Sequence, residues 1–357
     1  MEKIAILGAG GVGGTIGAYL LRDGRDVTLI DQWPAHVDAI KDKGLTLTDV
    51  KGTISVRAPA LHINEVCNIF DPFDIVVMCV KGYDVRWMTW LIEPVLKATG
   101  YILVAQNGMN DLCVANVVGH HRTIGCVVTL AAGVYEPGHI QRTDPMTARN
   151  FTVGELSGVI TPRVGALVSD LELVGASTAT TNIWGARWSK LAVNCMGNAI
   201  SGLLHSVERS MSPEQEDIVQ SIRITLASET ARVGLAMGIP VEPVRGIPAE
   251  ELAYIDSDQK MQRIKDEVIR QTQKRQPAPQ PQRRNAAPRR ESLLQDVIKG
   301  RRTEVDFLNG YVVTKGQEVG VGTPMNSAIT DFMRRQEMGK GQSAEKILVS
   351  LEKYLAV

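Results

Sequence analysis

Residues 8–13 read Gly-Ala-Gly-Gly-Val-Gly, directly after the apolar run Ile4-Ala5-Ile6-Leu7 and directly before a helix-compatible stretch over about residues 12–23. Few six-residue segments restrict a chain as strongly. One glycine permits a tight turn, the next lets the backbone approach a pyrophosphate, and the third lets the helix pack closely on the strand. The helix N-terminus then offers N–H groups and a partial positive charge to phosphates. Gly8, Ala9, Gly10, Gly11, Val12 and Gly13 are therefore the candidate cradle for a dinucleotide. Alone the motif is weak, but a second apolar run, Val27-Thr28-Leu29-Ile30, ends at Asp31. A carboxylate at that position accepts hydrogen bonds from ribose hydroxyls and repels a 2′-phosphate. Gln32, Trp33 and Pro34 follow it, with no Arg or Lys, so NAD is expected in preference to NADP. The competing reading is a glycine-rich turn in a fold of the same type that binds nothing.

The rest of the first half repeats the alternation. Asp74–Val80, Tyr101–Ala105 and Thr123–Val128 read as buried strands, with helical patterns at about 35–42 and 84–97, and Phe151–Gly154 reads as a late strand after a Glu136–His139 turn. That order predicts βαβ units and a mostly parallel sheet. From about residue 183 strand signals largely stop. Helical patterns cover Gly185–Leu204, Pro213–Met237, Glu250–Gln273, Ser292–Lys299, Thr303–Val319 and Asn326–Met338. The expected organisation is an α/β Rossmann-type domain over 1–182 followed by an all-α domain over 183–357. Residues 271–290, rich in Gln, Pro and Arg, are expected to form a mobile surface excursion.

Composition excludes several classes. With 39 basic and 39 acidic residues the formal charge is zero, so nothing points globally to nucleic acid or an anionic membrane. No apolar run approaches the roughly 18 residues of a membrane span. Strand-like sequence starts at Lys3, leaving no room for a signal peptide. The five cysteines at 67, 79, 113, 126 and 195 form no Cys-x-x-Cys pair, so neither a metal site nor a disulfide framework is expected. A cytoplasmic protein is the reading.

Four further islands place polar residues where a bland sequence has no need of them. Lys81 and Asn107 follow two of the expected strands, whose carboxyl ends face the ligand crevice in a doubly wound sheet; a surface lysine and an Asn-Gly turn are the plainer alternatives. Lys190, Asn194 and Asn198 are spaced i, i+4, i+8, forming one polar stripe about 12 Å long on a helix. Leu191, Val193 and Cys195 surround it, so the stripe interrupts apolar sequence. A lysine in such a setting is a candidate for proton transfer; a helix with one exposed edge is the alternative. The last island runs Ser292–Asp296 and Gly300–Gly310. There Thr303 and Asp306 resemble a capping box that places Glu304 in the first turn of a helix.

Taken together, these islands resemble the ketopantoate reductase (2-dehydropantoate 2-reductase) family. The resemblance rests on Gly8–Gly13, Val80-Lys81, Gln106-Asn107-Gly108, Pro137–Ile140, Trp188–Asn194 and Ser292–Gly310, and runs over nearly the whole chain. It implies a two-domain enzyme in which Lys190 is the general acid and Glu304 helps orient the site. It implies that Lys81 and Asn107 contact the cofactor or the reacting end of the substrate, and that Asn194, Asn198 and Ser292 bind its hydroxyl and carboxylate. The implied partner is a small 2-keto or 2-hydroxy acid; the balanced charge already speaks against nucleic acid and membrane, and a homodimer through the helical domain is expected, with no residue pointing to it directly.

Three features depart from that pattern. Asp31 leans towards NAD, whereas the biosynthetic reductases commonly use NADPH. Ala287–Glu291 replaces small polar residues, including a substrate-holding asparagine. The 271–290 excursion lengthens the approach to Ser292. A catabolic dehydrogenase of the same family acting on another 2-hydroxy acid is therefore an alternative. So are an opine or 3-hydroxy-acid dehydrogenase and, without catalysis, a dinucleotide-sensing protein.

Overall fold

The computed structural model describes residues 1–144, 149–207, 210–275 and 290–355. They divide into two units, one within Met1–Ile183, the other within Trp184–Gln280 and Arg290–Val357.

The first unit contains β1 (Lys3–Leu7), α1 (Gly11–Arg22), β2 (Asp26–Asp31), α2 (Pro34–Lys43), β3 (Leu45–Asp49), β4 (Gly52–Val56), β5 (Ala60–His62), β6 (Phe73–Met78) and α3 (Val85–Ile92). It continues with β7 (Leu96–Val104), α4 (Asp111–Val118), β8 (Thr123–Val128), β9 (Ala132–Glu136), β10 (His139–Arg142), β11 (Arg149–Glu155), α5 (Pro162–Glu172) and β12 (Ala176–Ala179). The main sheet has the order β12-β11-β8-β7-β6-β1-β2-β5. Every pairing in it is parallel except that of β11 with β8. The alternation of strand side chains builds a core on each face. Ile4, Ile6, Ile75, Val77 and Leu103 point to one, and Ala5, Leu7, Val76, Met78, Ile102 and Val104 to the other.

A second sheet, β4-β3-β10-β9, was not among the expectations. Its strands are short and half-exposed, as in the Gly52–Val56 edge, so their apolar signal is weak. It is held to the first core by a buried polar knot. The Arg142 guanidinium pairs with Asp144 at 2.9 Å and donates to the Asn150 amide oxygen at 3.1 Å and the Val174 carbonyl at 2.5 Å.

The second unit is helical in its described residues: α6 (Ile183–Leu204), α7 (Pro213–Ala236), α8 (Ala249–Ala253), α9 (Asp258–Arg275), α10 (Ser292–Ile298), α11 (Asn309–Val319), α12 (Pro324–Glu337) and α13 (Ala344–Glu352). Among the described residues no helix is long and apolar enough to cross a membrane.

Several elements differ from expectation. The 84–97 helix stops at Ile92, because Pro94 lacks the N–H that a continuing helix needs, and β7 starts at Leu96 after a short 3-10 turn. The 250–273 stretch is two helices: the Ser257 hydroxyl accepts the Lys260 N–H and starts α9 afresh. Helix α9 then runs to Arg275, so the excursion expected over 271–290 is helical in its first five residues, and 276–289 lie outside the described residues.

The thiols differ sharply in access. Cys67 is exposed, whereas Cys126 and Cys195 are buried, and burial pushes the Cys195 thiol up to about 12. Thiolate is the reactive form. A neutral alkylating reagent is therefore expected to label Cys67 in the folded protein and Cys126 and Cys195 only after unfolding, which peptide mass mapping reads directly.

Candidate active site

In the first unit, four of the predicted elements converge on one sheet edge. The register sets Leu7 beside both Ile30 and Met78, and Met78 beside Val104. Asp31, the glycine turn, Lys81 and Asn107 therefore follow the carboxyl ends of the neighbouring strands β2, β1, β6 and β7. Lys81 and Asn107 each stand three residues beyond their strand.

The turn itself needs its glycines. Gly8 has φ of +94°, and a Cβ there would lie 2.9 Å from the Cys79 carbonyl carbon; a Cβ at Gly13 would lie 2.1 Å from the Gly8 carbonyl oxygen. Helix α1 starts at Gly11 with no side-chain cap and no acid in its first turn, and the space beside Gly10 is open for 4 Å. A glycine-lined helix start without a competing anion fits a pyrophosphate. The Asp31 Oδ1 accepts the Trp33 N–H at 2.9 Å, an Asx turn that fixes the carboxylate at the end of β2. The side chain of Gln32 is turned away from it, donating to Asp84 Oδ2 at 3.0 Å, while the Trp87 indole donates to Oδ1 at 2.8 Å.

In the second unit, α6 carries the polar stripe as predicted. Lys190 is half-buried, and Asn194 and Asn198 are almost fully buried. The stripe extends to Arg187, 2% exposed, and Ser201, 7% exposed. Reading the helix three residues further in each direction would have found both. The opposite face locks the helix: the Trp188 indole donates to the Thr230 carbonyl on α7 at 2.7 Å.

Two other predicted residues reach this helix through their neighbours. Ser292 is the first residue of α10, and the next residue, Leu293, packs where a side chain at Gly202 of α6 would meet it at 2.7 Å. Glu304 is 6% exposed, and Asn309, five residues on, donates to the Cys195 carbonyl of α6 at 3.5 Å. The capping box expected at Thr303 is absent. The Thr303 hydroxyl accepts the Val305 N–H instead, and Asp306 pairs with Arg334 at 2.7 Å, an arginine far away in sequence. Glu304 consequently precedes a short 3-10 turn, Val305–Phe307, rather than lying in the first turn of an α-helix. Among the described residues no cluster of His, Cys, Asp or Glu could hold a metal ion.

Behind Asn309 lies a network that sequence gave no sign of. Asn309 donates to the Asn326 amide oxygen at 2.9 Å; Asn326 donates in turn to Glu229 at 2.8 Å. Glu229 also accepts the backbone N–H groups of Met325 and Asn326, both at 2.9 Å, at the start of α12.

The family description "Ketopantoate reductase PanE/ApbA" matches residues 4–158, and "Ketopantoate reductase PanE/ApbA C terminal" matches residues 182–337. The chain belongs to the ketopantoate reductase family. A 2-dehydropantoate 2-reductase of Pyrococcus abyssi is 26% identical over 342 residues, covering 95% of this chain and 99% of the relative. One from Streptococcus pyogenes serotype M6 is 25% identical over 341 residues, covering 94% and 97%. The crystal structure of a PanE/ApbA family ketopantoate reductase from Ralstonia eutropha JMP134 is 25% identical, with a TM-score of 0.71 over 95% of this chain and 99% of that one. D-mandelate dehydrogenase, solved with NADH and anilino(oxo)acetate, shares the fold at 22% identity, with a TM-score of 0.71 over 99% and 100%. At the level of its family, then, the chain is a ketopantoate-reductase-like oxidoreductase that uses NAD(P).

Proposed function

We propose that the chain interconverts a 2-keto acid and its 2-hydroxy acid, with 2-dehydropantoate and pantoate as the leading pair. The observation that carries this reading is the stripe on α6, a half-buried lysine in line with two buried amides, tied by packing and hydrogen bonding to the segments bearing Ser292 and Glu304.

Gly8–Gly13 and Asp31 would hold the dinucleotide, with Lys81 and Asn107 at its reacting end. Bound there, the nicotinamide supplies or accepts a hydride. Everything else falls to the chain's own side chains. Asn194, Asn198 and Ser292 offer amide and hydroxyl groups that fix the acid's carboxylate and hydroxyl, limiting the orientations its keto carbon can take. The Lys190 ammonium stabilises the charge that develops on the keto oxygen and then gives that oxygen a proton. In the oxidative direction the neutral amine of Lys190 takes the proton back. Glu304, buried just before the Val305–Phe307 turn, is the residue that would orient the site.

NAD is the proposed cofactor. The Asx turn at Asp31 supports this, since one carboxylate oxygen is held by backbone and the charge stays at the end of β2. Gln32, whose amide is engaged by Asp84, is not placed to answer a 2′-phosphate. The expected result is a higher kcat/KM with NADH than with NADPH, and Asp31→Ser should narrow the difference by about tenfold or more, the worth of one charge-assisted hydrogen bond. Parallel initial rates with both cofactors read it; a wild-type preference for NADPH overturns the assignment.

A second reading, a dehydrogenase for a different 2-hydroxy acid, is favoured by the same Asp31 together with the fold shared with an enzyme solved with NADH. Rates over a panel of 2-keto acids that includes 2-dehydropantoate and an aryl glyoxylate separate the two. A homodimer belongs to the proposal as well, and light scattering on the purified chain tests it.

A further inference from the structure

The geometry points to His36 as a positioning residue for the dinucleotide, one that holds the glycine turn in its ligand-receiving shape; the inference rests on the cofactor reading of that turn given above. His36 lies in α2 and is 1% exposed. Both ring nitrogens are engaged. The Gly138 N–H, in the turn between β9 and β10, meets Nδ1 at 2.9 Å. An N–H facing Nδ1 makes that nitrogen the acceptor, so the proton of the neutral ring is on Nε2. Nε2 donates to the carbonyl of Ala9, the second residue of the glycine turn, at 3.0 Å. Trp33 stacks on the imidazole, with ring centroids 5.5 Å apart and planes 12° from parallel.

This bond acts on the part of the backbone that matters. The peptide joining Ala9 to Gly10 is trans, so its N–H points opposite to the carbonyl that His36 holds. Gly10 itself faces open space. The same hairpin that supplies Gly138 also presses on the start of α1, where a Cβ at Gly11 would lie 2.6 Å from the Ala132 carbonyl oxygen. The turn is thus held on its protein side by His36 and by β9, and its donors are fixed before a ligand arrives. Pre-set donors save the ordering cost that a loose turn has to meet on binding.

Two substitutions separate the two bonds. His36→Asn keeps an acceptor where Nδ1 stood, able to receive the Gly138 N–H, and is too short to reach Ala9. His36→Gln has the length to offer an amide N–H towards Ala9. Calorimetric binding of NADH and NADPH, steady-state kinetics and urea unfolding are measured on the full-length chain. For His36→Asn the dissociation constant of the preferred dinucleotide is expected to rise by about tenfold or more, while kcat at saturating dinucleotide and the KM of the keto acid hold within about twofold. His36→Gln is expected to recover most of the lost affinity. A merely structural histidine moves the unfolding midpoint without this split. Wild-type affinity in folded His36→Asn overturns the inference, as does a loss confined to kcat, or an equal loss in His36→Gln. A wild-type chain that binds neither dinucleotide overturns the cofactor reading together with it, whereas tight wild-type binding unchanged in His36→Asn overturns this inference alone.

Discussion

Lys190→Ala is expected to lower kcat by about 10²–10⁴-fold, the usual worth of a general acid, while the dinucleotide dissociation constant stays within about twofold. The separation follows from where the residue stands. Lys190 is on α6 in the second unit, and the glycine turn and Asp31 are in the first. Truncating the lysine should also cost little in folding, because the α6 core is carried by other residues, among them Leu191, Ala192, Cys195 and Ala199. Lys190→Arg is expected to fail as a replacement. A guanidinium keeps the positive charge but gives up a proton far less readily than an ammonium. Single-turnover rates at saturating cofactor, measured beside calorimetric binding, check both halves. Near-normal turnover in Lys190→Ala removes the lysine from the mechanism.

Glu229→Leu should have the largest effect on stability. The carboxylate accepts three N–H groups, from Met325 and Asn326 backbone and from the Asn326 amide, in a site only 1% exposed. Leucine leaves all three donors buried at the start of α12. Each buried donor left without a partner costs about 1–3 kcal/mol, so a loss of about 3 kcal/mol or more is expected in urea unfolding. The same variant loosens Asn326, hence Asn309 and its grip on α6, so some fall in kcat should accompany it.

The acid–base side of this residue is separable with Glu229→Gln. Burial, the dominant cause, pushes the Glu229 carboxyl above its usual range despite the three donors. Both folded and unfolded forms are protonated well below that range, and there the group's contribution to stability is fully present. As pH rises the unfolded chain ionises first, and the contribution is lost until the folded carboxyl ionises too. The stability advantage of wild type over Glu229→Gln is therefore expected to be largest in acid and to shrink as pH climbs through and above the ordinary carboxylate range. An advantage that instead grows with pH contradicts the raised value.

Sequence by itself determined the features whose signal is local. The glycine turn and Asp31 at a strand end follow from the residues directly beside them, the doubly wound alternation and the Lys190–Asn194–Asn198 stripe from periods of two and of three to four residues, and each lies on the element its local pattern specifies. It failed where one residue's neighbours are distant along the chain. Thr303 and Asp306 have the spacing of a capping box, but Arg334 takes the Asp306 carboxylate, and local spacing cannot weigh a partner 28 residues away. The second sheet, the Glu229–Asn326–Asn309 network and His36 belong to the same class. His36 meets Gly138 across 102 residues, Glu229 meets Asn326 across 97, and Asn309 meets α6 across 114. Each is a polar side chain in an unremarkable stretch, given meaning only by burial, because a hydrogen bond out of contact with water must be satisfied and so becomes specific. Sequence therefore decided which backbone turn and which polar side chains are candidates for a site. The tertiary structure alone decided what holds them still.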